Sequence, residues 1–216
     1  LEKCVVPTCS SCLYAKAIKR KWRGRTSNNK DEASVPTKPG ERVSVDQLVS
    51  PTPGLIAQML AVFGNLTVKR YKYATVYVDQ VSGLGFTYLQ KSATAEETLE
   101  GKVAFEAYAK SRGVDIQNYH ADNGIFKAHK WVSACRAKGQ GLTFAAVNAH
   151  HQNGVAERRI RTLQELARTM LIHSNKRWPK SVTTNLWPYA IRAANDVINE
   201  TPNMQHALKM TPQQIF

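Results

Sequence analysis

Apolar positions recur along this chain with two different periods, and the changes between them mark out its elements. From Arg42 to Val49 apolar and polar residues alternate, as in a strand with one buried face. Lys72 to Asp79 and Leu84 to Gln90 are rich in aromatic and β-branched residues, and the intervening Val-Ser-Gly predicts a hairpin. Thr94 then caps a helix that closes at Gly113. A strand over Val114 to His120, a helix over Ala128 to Lys138 and a strand over Leu142 to Val147 follow. The period of three and four returns in a long helix after Asn153-Gly154 and in a last helix from Ser181 to Glu200. Three strands, helix, strand, helix, strand and two helices predict an α/β fold, a five-stranded mixed sheet flanked by helices.

The long helix is the most informative element. Ala156, Ile160, Leu163, Ala167, Met170 and Leu171 fall on one side of it and predict its buried face. Glu157 lies beside that seam in the first turn, where the helix dipole favours a carboxylate. It heads a column with Arg161, Gln164 and Arg168, spaced to face one cleft. Two stretches resist this reading. Residues 26 to 41 are polar with two prolines and a glycine, which marks a linker, and Pro51 to Arg70 reads equally as a surface helix or a hairpin extension.

Charge sharpens the picture. The formal net charge is +14 over 216 residues, and it is concentrated. Residues 1 to 30 hold eight Lys/Arg against one Glu, and residues 151 to 180 hold seven against two. Two basic patches on a nearly neutral body point to a polyanion such as nucleic acid. Lys16, Lys19, Arg20 and Lys21, with Tyr14 and Trp22 interleaved, are suited to phosphate contacts and base stacking. No run of about 18 apolar residues predicts a membrane span. Three of the four cysteines crowd the first twelve residues, which is no secreted disulfide framework and predicts a reducing compartment. Cys9 and Cys12 have the spacing of half a zinc site, whose other ligands would come from Cys4 or from upstream residues.

Asp46 on the first strand, Asp122 at the end of the fourth and Glu157 at the head of a helix would converge if the first and fourth strands are neighbours. Carboxylates without histidine or thiol suit Mg²⁺ or Mn²⁺. Two such ions can activate an attacking oxygen and stabilise a leaving one in phosphoryl displacement. Asp79 ends a strand too, but is expected to cap the hairpin. His150 and His151 read as loop residues, Trp131, Trp178 and Trp187 as packing, and Cys135 as a buried helix residue.

The motifs VSVDQL, YHADNGIF and HHQNGVAERRIRTLQELARTML resemble the catalytic core of a retroviral-type integrase of the Ty1/copia class of retrotransposons. The likeness runs from about Pro39 to the closing TPQQIF, and CSSCLYAKAIKR resembles the tail of that family's amino-terminal zinc module. It implies residues 1–30 as the end of the zinc module, 31–42 as linker and 43–216 as catalytic core, with a ribonuclease-H-like fold. It implies Asp46, Asp122 and Glu157 as the triad, DNA contacts at Asn153, Arg158, Arg161, Gln164 and Arg168, and two reactions, trimming of a DNA 3′ end and strand transfer. Retroelement and target double-stranded DNA, a homo-oligomer, a nuclear location with a virus-like-particle stage and a parent polyprotein are the expected context. Thirty-four residues separate Asp122 from Glu157, one fewer than usual in the family. The other readings are a nucleic-acid-binding remnant without catalysis and a nuclease of the ribonuclease H kind.

Overall fold

The alternation that begins near Arg42 becomes β1 (Val43–Ile56), the middle strand of the sheet. The computed structural model describes residues 9–16, 35–56, 69–145, 153–204 and 208–216. β1 outruns its apolar pattern, since its second half pairs with the start of β2 (Lys69–Asp79) after a register shift between Val49 and Gly54. The undecided stretch is therefore a hairpin arm in its described parts, and residues 57–68 lie outside them. Gly54 makes this arm possible. A Cβ there would lie 2.3 Å from Pro188 Cγ and 2.5 Å from Trp187 Nε1, so only glycine lets the strand lie against the indole. Trp187 Nε1 donates to the Thr52 carbonyl at 2.9 Å and fixes the contact.

β1, β2 and β3 (Gly85–Gln90) are antiparallel, whereas β4 (Asn118–Ala121) and β5 (Gly141–Phe144) join β1 in parallel, giving the order β3-β2-β1-β4-β5. Parallel neighbours need crossovers, and α2 (Ala95–Ser111) and α3 (His129–Ala137) supply them. α2 starts as its sequence requires: the Thr94 hydroxyl accepts the Glu97 N–H, and Glu96 and Glu97 occupy the first turn. Gly113, at φ +77°, turns the chain out at the other end. α4 (Gly154–Arg177), α5 (Trp187–Glu200) and the one-turn α6 (Pro212–Ile215) complete the core, and α1 (Ser10–Lys16) precedes it. No helix among the described residues is long and apolar enough to cross a membrane.

Alternate residues of each strand feed two cores. Val43, Val45, Tyr77, Tyr119 and Ala121 pack against Phe105 of α2 and Trp131 and Cys135 of α3. Leu48, Ala74, Val76 and Val78 pack against Leu163 and Ala167 of α4 and Trp187, Ile191 and Ala194 of α5. The sheet thus lies between two helical layers, and each fully buried aliphatic or aromatic side chain contributes about 1.5–3 kcal/mol. The expected seam of α4 holds: Ala156, Leu163 and Ala167 are buried and Ile160, Met170 and Leu171 pack against the same core, while Arg159, on the edge of that seam, is buried as well. Trp131 and Trp187 are core residues, while Trp178 is exposed.

Candidate active site

Strand register brings the two aspartates together. Val45 of β1 is the partner of Ala121 of β4, and Asp46 and Asp122 follow them by one position each. Val45 and Ala121 face the α2–α3 core, so Asp46, the next residue along β1, faces the side on which α4 and α5 pack. Asp46 follows the last residue of β1 that pairs in parallel with β4, and Asp122 follows the last residue of β4, so both lie where the parallel pairing ends, the end at which open α/β sheets bind ligands. Asp46 Oδ1 accepts the Gln47 N–H at 2.7 Å, and Asp122 Oδ1 accepts the Gly124 N–H at 3.1 Å, closing the Asp-Asn-Gly turn. Asn123 Nδ2 donates to the Ala145 carbonyl at 2.6 Å and ties that turn to the end of β5.

Glu157 stands half-buried in the first turn of α4. The helix start is pinned to β1 by Asn153, whose Nδ2 donates 3.0 Å to the carbonyl of Val45, the residue before Asp46. The side chain of Asn153, expected as a DNA contact, is thus engaged with the sheet. Its side chain is 1% exposed, gives no capping bond to α4 and faces the sheet, and its Oδ1 is buried without a partner. Among the described residues no three His, Cys, Asp or Glu side chains converge closely enough to hold a metal ion. The structure therefore pairs Asp46 with Asp122 by register and places Glu157 on an element anchored to the same strand, without closing the three into one cluster.

Arg158, Arg161 and Gln164 are exposed along α4. Arg168 is employed elsewhere, since its Nη1 donates 3.0 Å to the Ala15 carbonyl at the end of α1. Lys176 Nζ donates 2.6 Å to Ser10 Oγ at the other end, so α1 lies antiparallel along the second half of α4 with Ser11 and Ala15 buried. Cys9 is exposed, and the Cys12 backbone N–H draws its thiol below the usual range. Lys19, Arg20 and Lys21 fall outside the described residues, as do Cys4 and the loop 146–152 with His150 and His151. At 1.5 Å rise per residue, Lys176 is about 29 Å along α4 from Glu157, which separates the thiols from the carboxylates. Asp79 is the expected hairpin cap, fully buried and accepting the Gly40 N–H at 2.8 Å and the Ser82 N–H and hydroxyl at 2.7 Å.

Sequence reasoning missed Arg159. It is 9% exposed, its Nη2 donates to Asn195 Oδ1 at 3.2 Å and Asn199 Oδ1 at 2.5 Å, and burial draws its guanidinium down to about 10. The asparagines at i and i+4 of α5 were the available signal, because two carboxamides on an otherwise buried helix face need a polar partner.

No family model matches the chain. Its sequence is 26% identical over 211 residues to the retrovirus-related Pol polyprotein from transposon RE1 of Arabidopsis thaliana, covering 97% of this chain and 12% of that polyprotein. It is 26% identical over 147 residues to the corresponding polyprotein from transposon TNT 1-94 of Nicotiana tabacum, covering 67% of the chain and 10% of the polyprotein. The chain thus spans only about 12% of the length of the first of these curated relatives. Its structure is similar to the HTLV-2 integrase catalytic core domain in complex with magnesium, with a TM-score of 0.54 at 17% identity over 82% of this chain and 97% of that one. It is also similar to a chain of the simian T-cell lymphotropic virus intasome, with a TM-score of 0.60 at 17% identity over 96% of this chain and 63% of the other. The chain therefore has the ribonuclease-H-like fold of retroviral integrase catalytic cores, and its sequence is similar to part of the Pol polyproteins of the transposons RE1 and TNT 1-94.

Proposed function

We propose that this chain is the catalytic core of a retroelement integrase, which trims a DNA 3′ end and joins it to target DNA. The observation that carries the reading is the placement of Asp46 and Asp122 one residue beyond the last parallel pair of β1 and β4, with the helix of Glu157 pinned by Asn153 to the residue before Asp46. Carboxylate oxygens alone suit a hard divalent ion, so the donors fit Mg²⁺ or Mn²⁺; Asp46 and Asp122 would hold it, with Glu157 as the third donor. When bound, two such ions would lower the barrier to phosphoryl displacement by neutralising charge on the attacking and leaving oxygens. The related fold of a magnesium-bound integrase core supports divalent-metal use.

In the first reaction a water oxygen attacks a phosphodiester near the DNA end, the P–O3′ bond breaks, and a free 3′ hydroxyl remains. In the second that hydroxyl attacks a target phosphodiester and displaces the target's own 3′ oxygen. Arg158, Arg161 and Gln164, exposed on the turns after Glu157, hold the strand by its phosphates. Cys9 and Cys12 belong on this reading to a zinc module completed by other ligands, and the active form is an oligomer, as in the dimeric and trimeric crystal forms of the HTLV-2 core and the simian virus intasome.

The test compares the wild-type chain with Glu157→Gln in Mn²⁺-dependent nicking and strand transfer, with gel-shift measurement of DNA affinity alongside. Loss of one metal donor removes a few kcal/mol of transition-state stabilisation, so activity falls at least about a hundredfold while DNA affinity holds. Retained activity in the variant sinks the triad. Binding without cleavage by the wild type itself establishes the non-catalytic remnant, and cleavage of RNA in hybrids without action on DNA ends establishes the nuclease.

A further inference from the structure

Arg159 is a cation at the centre of a protein layer with no carboxylate among its bonded partners. Its Nη2 makes both bonds, to Asn195 Oδ1 and Asn199 Oδ1. Those two carboxamides turn their nitrogens to a third element, both donating to the Gly85 carbonyl at 2.9 and 2.7 Å, while Asn199 Oδ1 also accepts the Gly85 N–H at 2.9 Å. Gly85 opens β3, and a Cβ there would lie 2.3 Å from Arg159 Nη2 and 2.6 Å from Asn195 Oδ1. The sequence thus spends a glycine, two asparagines and an arginine to join α4, α5 and β3 at one point. An apolar side chain would fill the same volume without the cost of burying a charge, so filling volume does not explain the choice.

The direction of the joint does. Arg159 follows Glu157 by two residues, about 200° around the helix, so the face that carries the anchor is nearly opposite the face that presents the carboxylate. A carboxylate stands about 5–6 Å from the helix axis, and a 20° roll of α4 would therefore carry it about 2 Å. Metal donors tolerate a few tenths of an ångström. The Asn153 bond to Val45 fixes where α4 starts, and the packing of Ile160, Leu163 and Ala167 limits its roll, but apolar packing is non-directional and does not set that roll as hydrogen bonds do.

We infer that Arg159, through Asn195, Asn199 and Gly85, is a positioning residue that sets the roll of α4 and with it the placement of Glu157 relative to Asp46 and Asp122. The inference rests on the reading of Glu157 as a metal donor. Arg159 itself touches neither metal nor DNA. Its burial, and the unpartnered Nε on its inner side, mark it as interior structure rather than substrate contact.

The test uses the full chain with Arg159→Met, Arg159→Lys and Gly85→Ala, and with Phe105→Leu as a control that weakens the opposite core without touching α4. Two quantities are read: hydrogen–deuterium exchange of the peptide covering residues 154–161, and Mn²⁺ uptake followed by electron paramagnetic resonance. The expected result is a tenfold or greater acceleration of exchange and a tenfold weaker Mn²⁺ uptake in Arg159→Met. Arg159→Lys recovers most of both, since a single nitrogen supplies the two bonds. Gly85→Ala, which displaces the guanidinium without removing it, falls on the same side as Arg159→Met and serves should that variant not fold. Phe105→Leu at equal thermal stability leaves both quantities near wild type. Unchanged exchange in Arg159→Met, or an equal change in Phe105→Leu, overturns the inference. Faster exchange with unchanged Mn²⁺ uptake also overturns it, leaving an anchor that does not place Glu157. If the wild type takes up no Mn²⁺, it is the carboxylate reading that falls, and exchange alone then decides whether Arg159 sets the helix.

Discussion

Glu106 is a buried carboxylate whose protonation should cost the fold stability. It lies on α2 with its side chain 11% exposed, and its Oε1 accepts from Lys102 Nζ at 2.6 Å, from Gln140 Nε2 at 2.8 Å and from the Tyr119 hydroxyl at 2.9 Å, while Oε2 accepts from Lys138 Nζ at 2.5 Å. Burial alone would raise its value; the bonds from Lys102, Lys138 and Gln140 outweigh that and hold it at about 2 instead of its ordinary 4.5. A group depressed on folding contributes stability that is complete above its unfolded value and is lost as the pH falls through its folded one. The whole displacement is worth about 3 kcal/mol, of which about 2 kcal/mol has gone by pH 3.

The perturbation that isolates this contribution is Glu106→Gln. Lys102, 1% exposed, then keeps a neutral acceptor but no carboxylate, which costs about 3 kcal/mol at pH 7, the low end for a broken buried pair. Because the glutamine does not titrate, the difference between wild type and variant should narrow by about 2 kcal/mol between pH 7 and pH 3, whatever the rest of this strongly basic chain does. Urea unfolding at the two pH values reads it as a shift of the wild-type midpoint, relative to the variant's, of about 1 M. A difference that stays constant to within about 0.5 kcal/mol refutes the argument, since the network would then not depend on the charge of Glu106.

Two further outcomes follow from the same kind of reasoning, besides that for Glu157 and the set for Arg159. Gly54→Ala should cost about 1–3 kcal/mol, because a methyl group at 2.3–2.7 Å from Pro188 and the Trp187 ring must push the hairpin arm away; the urea midpoint and the Trp187 emission report it together. Asn153→Leu removes the bond to the Val45 carbonyl and should cost about 1–3 kcal/mol, with Mn²⁺-dependent nicking falling further than that loss of stability explains. Equal nicking in folded Asn153→Leu would show that the pin holds the loop and not the helix start.

The paired aspartates were legible in sequence because both rest on period-two strands, and a parallel partnership of first and fourth strand is all that is needed to bring Asp46 beside Asp122. The hairpin extension was not legible, because its form depends on an indole 130 residues away that only a glycine can approach. Asn153 was read as the start of a helix, which it is, but its bond to β1 was not foreseen. An asparagine before a helix ordinarily caps it, and nothing local shows that the side chain will bond a strand 108 residues earlier instead. Arg159 was passed over although it falls about 20° from Met170 on the helical wheel, because its polar partners Asn195 and Asn199 lie 36 and 40 residues on and its own neighbourhood in sequence reads as one more basic residue.

Arg168 shows what the fold adds to a charge pattern. Arg161, Gln164 and Arg168 form one column by helical period, and the column suggested a continuous track for a phosphate backbone. The four last carbonyls of a short helix need donors, however, and α1 finds one of them in Arg168 and a side-chain bond at its other end from Lys176. The second half of α4 thereby becomes the seat of α1 and of the cysteine pair that begins it. The first half keeps the carboxylate, its buried anchor and the exposed Arg158, Arg161 and Gln164. A helix of 24 residues is long enough to hold the two apart.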